Sequence, residues 1–360
     1  MNRWNDNELP VYVGSYAPSA SEGIYVYRFN TENGELALQQ SLAGIENPSF
    51  LTLNDQQTRL YAVSEVGTVQ GSAASYAVDA QNGNLTFLNT QSTLSKAPCY
   101  LALDSGSACL AVANYSGGNV VLFPIDAEGK IGEAADHVQH EGSSGVRPDR
   151  QEAPHPHAAV IDPSNRYVFV PDLGLDQIKV YRIDYAAAKL IPHRAIHVKP
   201  GAGPRHMVFH SSIPFAYVIN ELDCSLTVFS YASEDGTLSP VQTVPALPDD
   251  FTGSNICADI HISPSGQYVY GSNRGHDSIV VYKINKSNGT LMYVEHVSTL
   301  GRTPRNFAIT PDGRFLLAAN QDSNSIITFE INQESGRLKE TGQAVTVSKP
   351  VCIKIIKPNL

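Results

Sequence analysis

"PHAAVIDPSNRYVFVPDLGLDQIKVYRID", residues 156–184, decides the fold once it is set beside "CADIHISPSGQYVYGSNRGHDSIVVYKINKSNGTL" (257–291) and "PRNFAITPDGRFLLAANQDSNSIITFEINQESGRL" (304–338). Each opens with a short apolar run, breaks at a corner of the D-P-x-x or S-P-x-G kind, and returns through alternating Val, Ile, Tyr and Phe. That alternation has the period of two of a strand, and no segment carries the 3.6-residue period of a helix. Working outward, the pattern P-x-h-h-h-h-x-P/S, then an aromatic-rich strand, then a strand ending in a turn and "G-x-L", returns roughly every 46 to 58 residues. The units begin at Pro48, Pro98, Pro156, Pro204, Cys257 and Pro304, with four short strands each.

A seventh unit is divided between the ends of the chain. "KPVCIKIIKP" near the C-terminus matches only a first strand, whereas "PVYVGSYAPSASEGIYVYRFNTENGEL" (10–36) matches a unit that lacks one. The expected fold is therefore all-β: a seven-bladed β-propeller, four antiparallel strands per blade, closed by pairing of the N- and C-terminal strands. Such a ring leaves only short, protected strand edges. Residues 1–360 read as a single propeller domain, with residues 1–9 a short extension, and the stretch Ala135 to Pro154 reads as a surface insertion of functional length.

Composition narrows the function. With 42% apolar and 17% charged residues the chain can bury a large core. A formal charge of −10 without any dense Lys/Arg cluster argues against nucleic acid and anionic lipid as partners. No signal-like or membrane-length apolar run is present, and five widely spaced cysteines without a CxxC pair suggest neither a disulfide framework nor a thiolate metal site. A cytoplasmic protein is expected, and the sequence leaves its oligomeric state open.

The repeat also separates scaffold from site. Sixteen residues after each unit's start stand Ser64, Asn114, Asp172, Asn220, Asn273 and Asn320, with Ser15 in the divided unit. A small hydrogen-bonding residue at every blade reads as a strand-end device. Two other positions differ from blade to blade. The second residue of each unit reads Ser49, Cys99, His157, Arg205, Ala258, Arg305 and Val351; the residue after the recurring Asn reads Tyr16, Glu65, Tyr115, Leu173, Glu221, Arg274 and Gln321. Because the first two strands of a unit run antiparallel, both positions fall at one end of the ring. Blades 4 to 7 thus gather His157, Arg205, Glu221, Arg274, Arg305 and Gln321 there, a cationic pocket with one carboxylate and one imidazole.

At this point "VGSY…GIYVYRFNTENGEL", "RQEAPHPHAAVIDP", "GPRHMVFH", "NEL", "SNRGHDSIVVYKI" and "PRNFAITPDGRFLLAANQ" carry a resemblance. In order along the chain, from Val11 to Pro350, they resemble the seven-bladed propeller lactonase family, whose bacterial members include 6-phosphogluconolactonases and which extends to a fungal 3-carboxy-cis,cis-muconate lactonizing enzyme. The site proposed for the fungal relative, a histidine, two arginines and a glutamate, falls by motif on His157, Arg205, Arg274 and Glu221. One departure is Asp259 in "CADIHI", where the family usually has Glu.

Lactone hydrolysis needs an activated water, a donor for the tetrahedral oxyanion and a holder for the anionic tail. Glu221 or His157 is the expected base and Arg274 the oxyanion partner, giving a catalytic set of His157, Glu221 and Arg274. Arg205, Arg305, His155 and Gln321 make the substrate-binding set. No cofactor is expected, and three arginines make a metal at the oxygen ligands Glu65, Asn114, Asp172, Asn220 and Glu221 less favourable. His206, His210 and His261 read as packing residues; Arg150 and Gln151, in the long loop, could close over substrate, but a solvated loop arginine is the default reading. Two rival classes remain: an intramolecular lyase of the muconate type, and a non-enzymatic propeller that binds a protein.

Overall fold

The computed structural model describes residues 7–356, and among them every regular element is a strand. The strands form seven four-stranded antiparallel sheets, each consecutive in sequence except the first, whose order is Pro350–Ile355, Glu8–Ser15, Ile24–Asn30, Leu36–Leu42. There Val11 pairs with Ile355 and Val13 with Ile353, so the ring closes through the two ends of the chain as expected. Glu8 and Leu9, assigned from sequence to an extension, already pair with Asn30 and Phe29. Residues 1–6 of that extension lie outside the described residues. The proposed insertion shortens in the same way: Asp136–Gln139 is the outer strand of blade 3, pairing with Asn119–Leu122, and only the remainder is loop.

The core lies between blades, where the buried faces of neighbouring sheets meet. Tyr217, Ile219, Leu226 and Val228 of blade 5 pack against Cys257, Ile260, Val269 and Val280 of blade 6. Second strands such as Phe315–Asn320 are buried along their whole length, whereas outer strands alternate buried and exposed. A repeated polar bond supplements this packing. The hydroxyls of Tyr12, Tyr61 and Tyr217 each donate at 3.0 Å to the carbonyl of Gly83, Gly129 and Gly289 in the next blade's outer turn. Those carbonyls belong to the turn glycines, Gly83 and Gly289 of "G-x-L" turns and Gly129 of the equivalent "GKI". Gly289 has φ +72°, and a Cβ there would meet Phe215 at 2.3 Å, so the turn requires glycine both for its backbone and for the close approach.

The recurring residue sixteen positions into each unit is a strand-end fastener, as read from the sequence. Asn273 Nδ2 donates to Ala246 O at 2.7 Å and Asn320 Nδ2 to Thr299 O at 2.9 Å, each tying a second strand to the chain leaving the preceding blade. Asp172 accepts from the backbone N–H groups of His155, Gly174 and Leu175.

Candidate active site

The variable second position of each unit is where the innermost strand breaks its ladder. Pairing skips Cys99 between Pro98 and Tyr100, Arg205 between Pro204 and His206, and Arg305 between Pro304 and Asn306. A bulge residue is released from cross-strand pairing and its side chain is re-aimed. Here the re-aimed side chains converge on the axis: Ser49, Cys99, His157, Arg205, Arg305 and Val351 all line one constriction of the central channel.

At one end of this constriction lies the Glu221 carboxylate, buried together with Arg205. Arg205 Nε donates to Glu221 Oε2 at 2.9 Å, and Arg274 Nη2 donates to the same oxygen at 2.8 Å. Arg150 Nη2 donates to Oε1 at 2.5 Å and lies 3.3 Å from the Tyr115 hydroxyl. Both oxygens of one carboxylate are thus held by three guanidinium groups. Burial alone pushes the Glu221 carboxyl up, but Arg274, Arg205 and Arg150 outweigh it and draw the pKa down to about 2. In return, burial and the neighbouring Arg274 and Arg305 lower Arg205 to about 10, which still leaves it charged at neutral pH.

Arg305 differs from the other three arginines. Its guanidinium stands 5.4 Å from the centre of the Tyr16 ring, and among the described residues it makes no hydrogen bond or ion pair. Burial opposes its charge, but Tyr16, Glu65 and Glu221 hold its pKa above the ordinary value. The Tyr16 hydroxyl donates to Glu65 Oε2 at 3.0 Å, so the ring beneath Arg305 is itself fixed.

His157 is buried, with Nδ1 3.8 Å from the Cys99 sulfur and its ring edge-on to Tyr115 and His206. Burial, then Arg205, His206 and Arg305, hold its pKa well below 6.5, so the ring is neutral. His155 forms part of the wall: it stacks on Tyr115 at 4.5 Å, with Nδ1 3.1 Å from Tyr115 O and Nε2 3.1 Å from Glu152 Oε1. Gln321 points elsewhere. Its amide donates to Asp322 at 3.0 Å, and its Oε1 is buried without a partner.

Two residues gain roles that their sequence contexts did not suggest. Arg150, read as a solvated loop residue, reaches Glu221 across 71 positions. His206, read as packing, supports Arg205: its Nε2 lies 3.2 Å from Arg205 Nη1 and its Nδ1 2.8 Å from Asp259 Oδ1. Burial and then Arg205 lower His206 to about 3, so the neutral ring donates through Nδ1 and accepts from Arg205 through Nε2. Asp259 also takes His261 Nε2 at 2.8 Å and the Asn306 amide. Among the described residues no cluster of three or more His, Cys, Asp or Glu side chains could hold a metal ion.

A closed ring of antiparallel blades with arginines and a carboxylate gathered at the axis defines the class: a β-propeller with a polar, arginine-rich axial site. The family follows from comparison with known proteins. The family model "Lactonase, 7-bladed beta-propeller" matches residues 10–355, and the chain belongs to that family. It is 37% identical over 345 residues to a 6-phosphogluconolactonase of Bacillus subtilis, covering 96% of this chain and 97% of the relative. It is 39% identical over 306 residues to a 6-phosphogluconolactonase of Formosa agariphila, covering 83% of this chain and 86% of that one. The solved structure of a periplasmic gluconolactonase from Pseudomonas aeruginosa superposes with a TM-score of 0.91 at 34% identity, covering 98% of this chain and 99% of that one.

Proposed function

We propose that this protein hydrolyses a sugar lactone bearing an anionic tail, with 6-phosphogluconolactone as the substrate and 6-phosphogluconate as the product. The observation that carries the reading is Arg305: a part-buried guanidinium in the channel with no protein acceptor, beside three further arginines that share one carboxylate. Glu65 and Glu221 balance its charge only at a distance, which leaves the guanidinium nitrogens open to an anionic ligand. Arg305 receives the tail, and Arg205, with Nε and Nη1 already engaged, adds its remaining nitrogen.

Hydrolysis adds water to the lactone carbonyl, opens the ring C–O bond and returns a proton to the ring oxygen. Arg274 is held rigidly by Glu221 Oε2 and by Cys257 O, both at 2.8 Å, and as a preorganised cation stabilises the developing oxyanion. His157, neutral and free of a strong acceptor, takes the proton from water and returns it to the leaving ring oxygen. Glu221 organises the arginines. His155 and Tyr115 form the wall against which the sugar lies.

The relatives named 6-phosphogluconolactonase support the phosphorylated substrate, and the Pseudomonas relative named a gluconolactonase supports the unphosphorylated one as a second reading. None of the five cysteines forms a disulfide, which favours a cytoplasmic location. The test is a coupled assay in which glucose 6-phosphate is oxidised enzymatically and delivery of 6-phosphogluconate to its dehydrogenase is timed. No acceleration over spontaneous hydrolysis rejects the substrate. Equal acceleration of gluconolactone rejects the role given to the arginines.

A further inference from the structure

Two thiols beside the site take no part in this mechanism. Cys224 lies three residues past Glu221 on the turn of blade 5, in left-handed backbone with φ 52°, and Cys257 enters the inner strand of blade 6. Both are anchored on one oxygen: Cys257 N donates to Glu221 O at 3.1 Å, and the Cys224 sulfur lies 3.8 Å from it. Asn255 ties them from the other side. Its Nδ2 donates to Cys224 Sγ at 3.3 Å and to Asn273 Oδ1 at 3.2 Å, and that oxygen also takes the Cys257 thiol at 3.2 Å. The two sulfurs are thus joined through one amide contact, Cys224 Sγ to Asn255 Nδ2, Asn255 Nδ2 to Asn273 Oδ1, and Asn273 Oδ1 to the Cys257 thiol.

The two thiols are unlike. Cys224 is part-exposed and Cys257 fully buried. As a thiol, Cys224 can donate to Asn255 O at 3.3 Å. The Cys257 thiol and the Asn255 amide favour its thiolate and, against burial, lower its pKa to about 7, whereas burial pushes Cys257 well up. An accessible attacking sulfur beside a protected resolving one is the arrangement of a redox-sensitive pair. The other three cysteines, Cys99, Cys109 and Cys352, are buried.

We propose that Cys224 and Cys257 form a reversible disulfide that lowers turnover by displacing the Glu221–Arg274 ion pair. With hydrogen peroxide as oxidant, the Cys224 thiolate attacks one peroxide oxygen, the O–O bond breaks, and the departing hydroxide takes a proton to leave as water. The Cys257 sulfur then attacks the Cys224 sulfenic acid, forming the S–S bond, breaking S–O, and releasing its own proton with hydroxide as a second water. Two thiols and one peroxide thus give one disulfide and two waters, two electrons passing from sulfur to oxygen. A sulfur–sulfur bond of about 2.05 Å is far shorter than any non-bonded contact, so the segments must close on each other. Cys257 lies at the joint they share, since its N–H holds Glu221 O and its carbonyl holds Arg274 Nη2 at 2.8 Å.

The effect on turnover rests on the proposed lactone hydrolysis; the covalent step does not. Reduced protein is titrated with hydrogen peroxide, remaining thiols are alkylated, and peptides are mapped after cleavage at glutamate, where Glu234 separates the two cysteines. The expected result is a 224–257 linked peptide that rises as lactonase activity falls at least tenfold, both reversed by dithiothreitol, with Cys224→Ser neither linking nor losing activity. Two thiols that stay alkylatable, or Cys224 sulfinic acid without the linked peptide, overturn the disulfide. A linked peptide with undiminished turnover overturns the inhibition. Reduced protein inactive on lactones rejects the proposed function alone, because the disulfide is read from the linked peptide.

Discussion

Replacing Arg305 with alanine separates binding from folding in a way that no other arginine of the site allows. The side chain donates to no protein acceptor, so its removal leaves no orphaned oxygen. What the fold loses is the cation–π contact with Tyr16, about 0.5–2 kcal/mol, and the attraction of the Glu65 and Glu221 carboxylates. What it gains is relief of the repulsion that Arg305 exerts on Arg205 and Arg274. These oppose each other, and a net change of about 1 kcal/mol in either direction moves the melting temperature by at most about 4 °C. The substrate loses more. Removing one partner of a desolvated charge pair costs about 2–5 kcal/mol, or roughly 30- to 5,000-fold in kcat/KM, carried mainly by KM. Arg205→Ala behaves differently, since it takes a donor from Glu221 and strands Ala258 O and His206 Nε2; breaking that buried pair costs the fold about 3–5 kcal/mol besides any loss in binding. The assay is lactone turnover with inorganic phosphate as competitor, beside thermal unfolding of the same samples. Arg305→Ala with unchanged KM and unchanged phosphate inhibition would refute the assignment, as would a fall in melting temperature comparable to that of Arg205→Ala.

Truncation after Lys349 removes the strand that buries Val351, Cys352 and Ile353 and pairs with Val11–Ser15; cooperative thermal unfolding should be lost, and an unchanged melting temperature would argue against closure through that strand. Glu221→Gln should lower kcat through disordered arginines, and because the free carboxyl titrates near pH 2, the kcat/KM profile of the parent should show no limb from it above about pH 4. His157 and His206 are folded with pKa values below 6.5, so the native state binds fewer protons than the unfolded chain. Their stabilisation is therefore complete above pH 6.5 and declines on acidification, by about 2 kcal/mol between pH 6.5 and 4.5 for His206 alone. Urea midpoints that are flat over that range would contradict buried neutral rings.

The fold was legible because its two signals repeat. The period of two marks strands in every unit, and a first strand missing at one end reappears at the other, so the pairing of the two end strands was foreseeable, while its register, Val13 opposite Ile353, came from the structure. The channel-facing positions were legible for a subtler reason. A bulge residue escapes the cross-strand constraints that keep its neighbours apolar, so the position free to vary among blades is the one aimed at the axis. Arg150 was hidden because it lies in a loop outside the repeat, where no period indicates direction. His206 looked like packing because alternation places it opposite Arg205; the bulge turns both toward the channel, 3.2 Å apart. Asp136–Gln139 was hidden by brevity, four residues being too few to show alternation against the loop that follows.

The arrangement also implies an order of events. In the unliganded site three guanidinium groups suppress the basicity of Glu221, and burial first, then Arg205, His206 and Arg305, suppress that of His157. Neither group is then a good proton acceptor. An anionic tail bound at Arg305 and Arg205 adds negative charge where the positive potential originates, and each unit by which it raises the pKa of His157 corresponds to about 1.4 kcal/mol of proton affinity. On the proposed mechanism the site thereby gains its base as the substrate arrives, with the interactions that recognise the tail also setting the proton chemistry. A neutral lactone placed at the same carbonyl would meet Arg274 but an unactivated His157, so discrimination against it should fall on kcat as well as on KM.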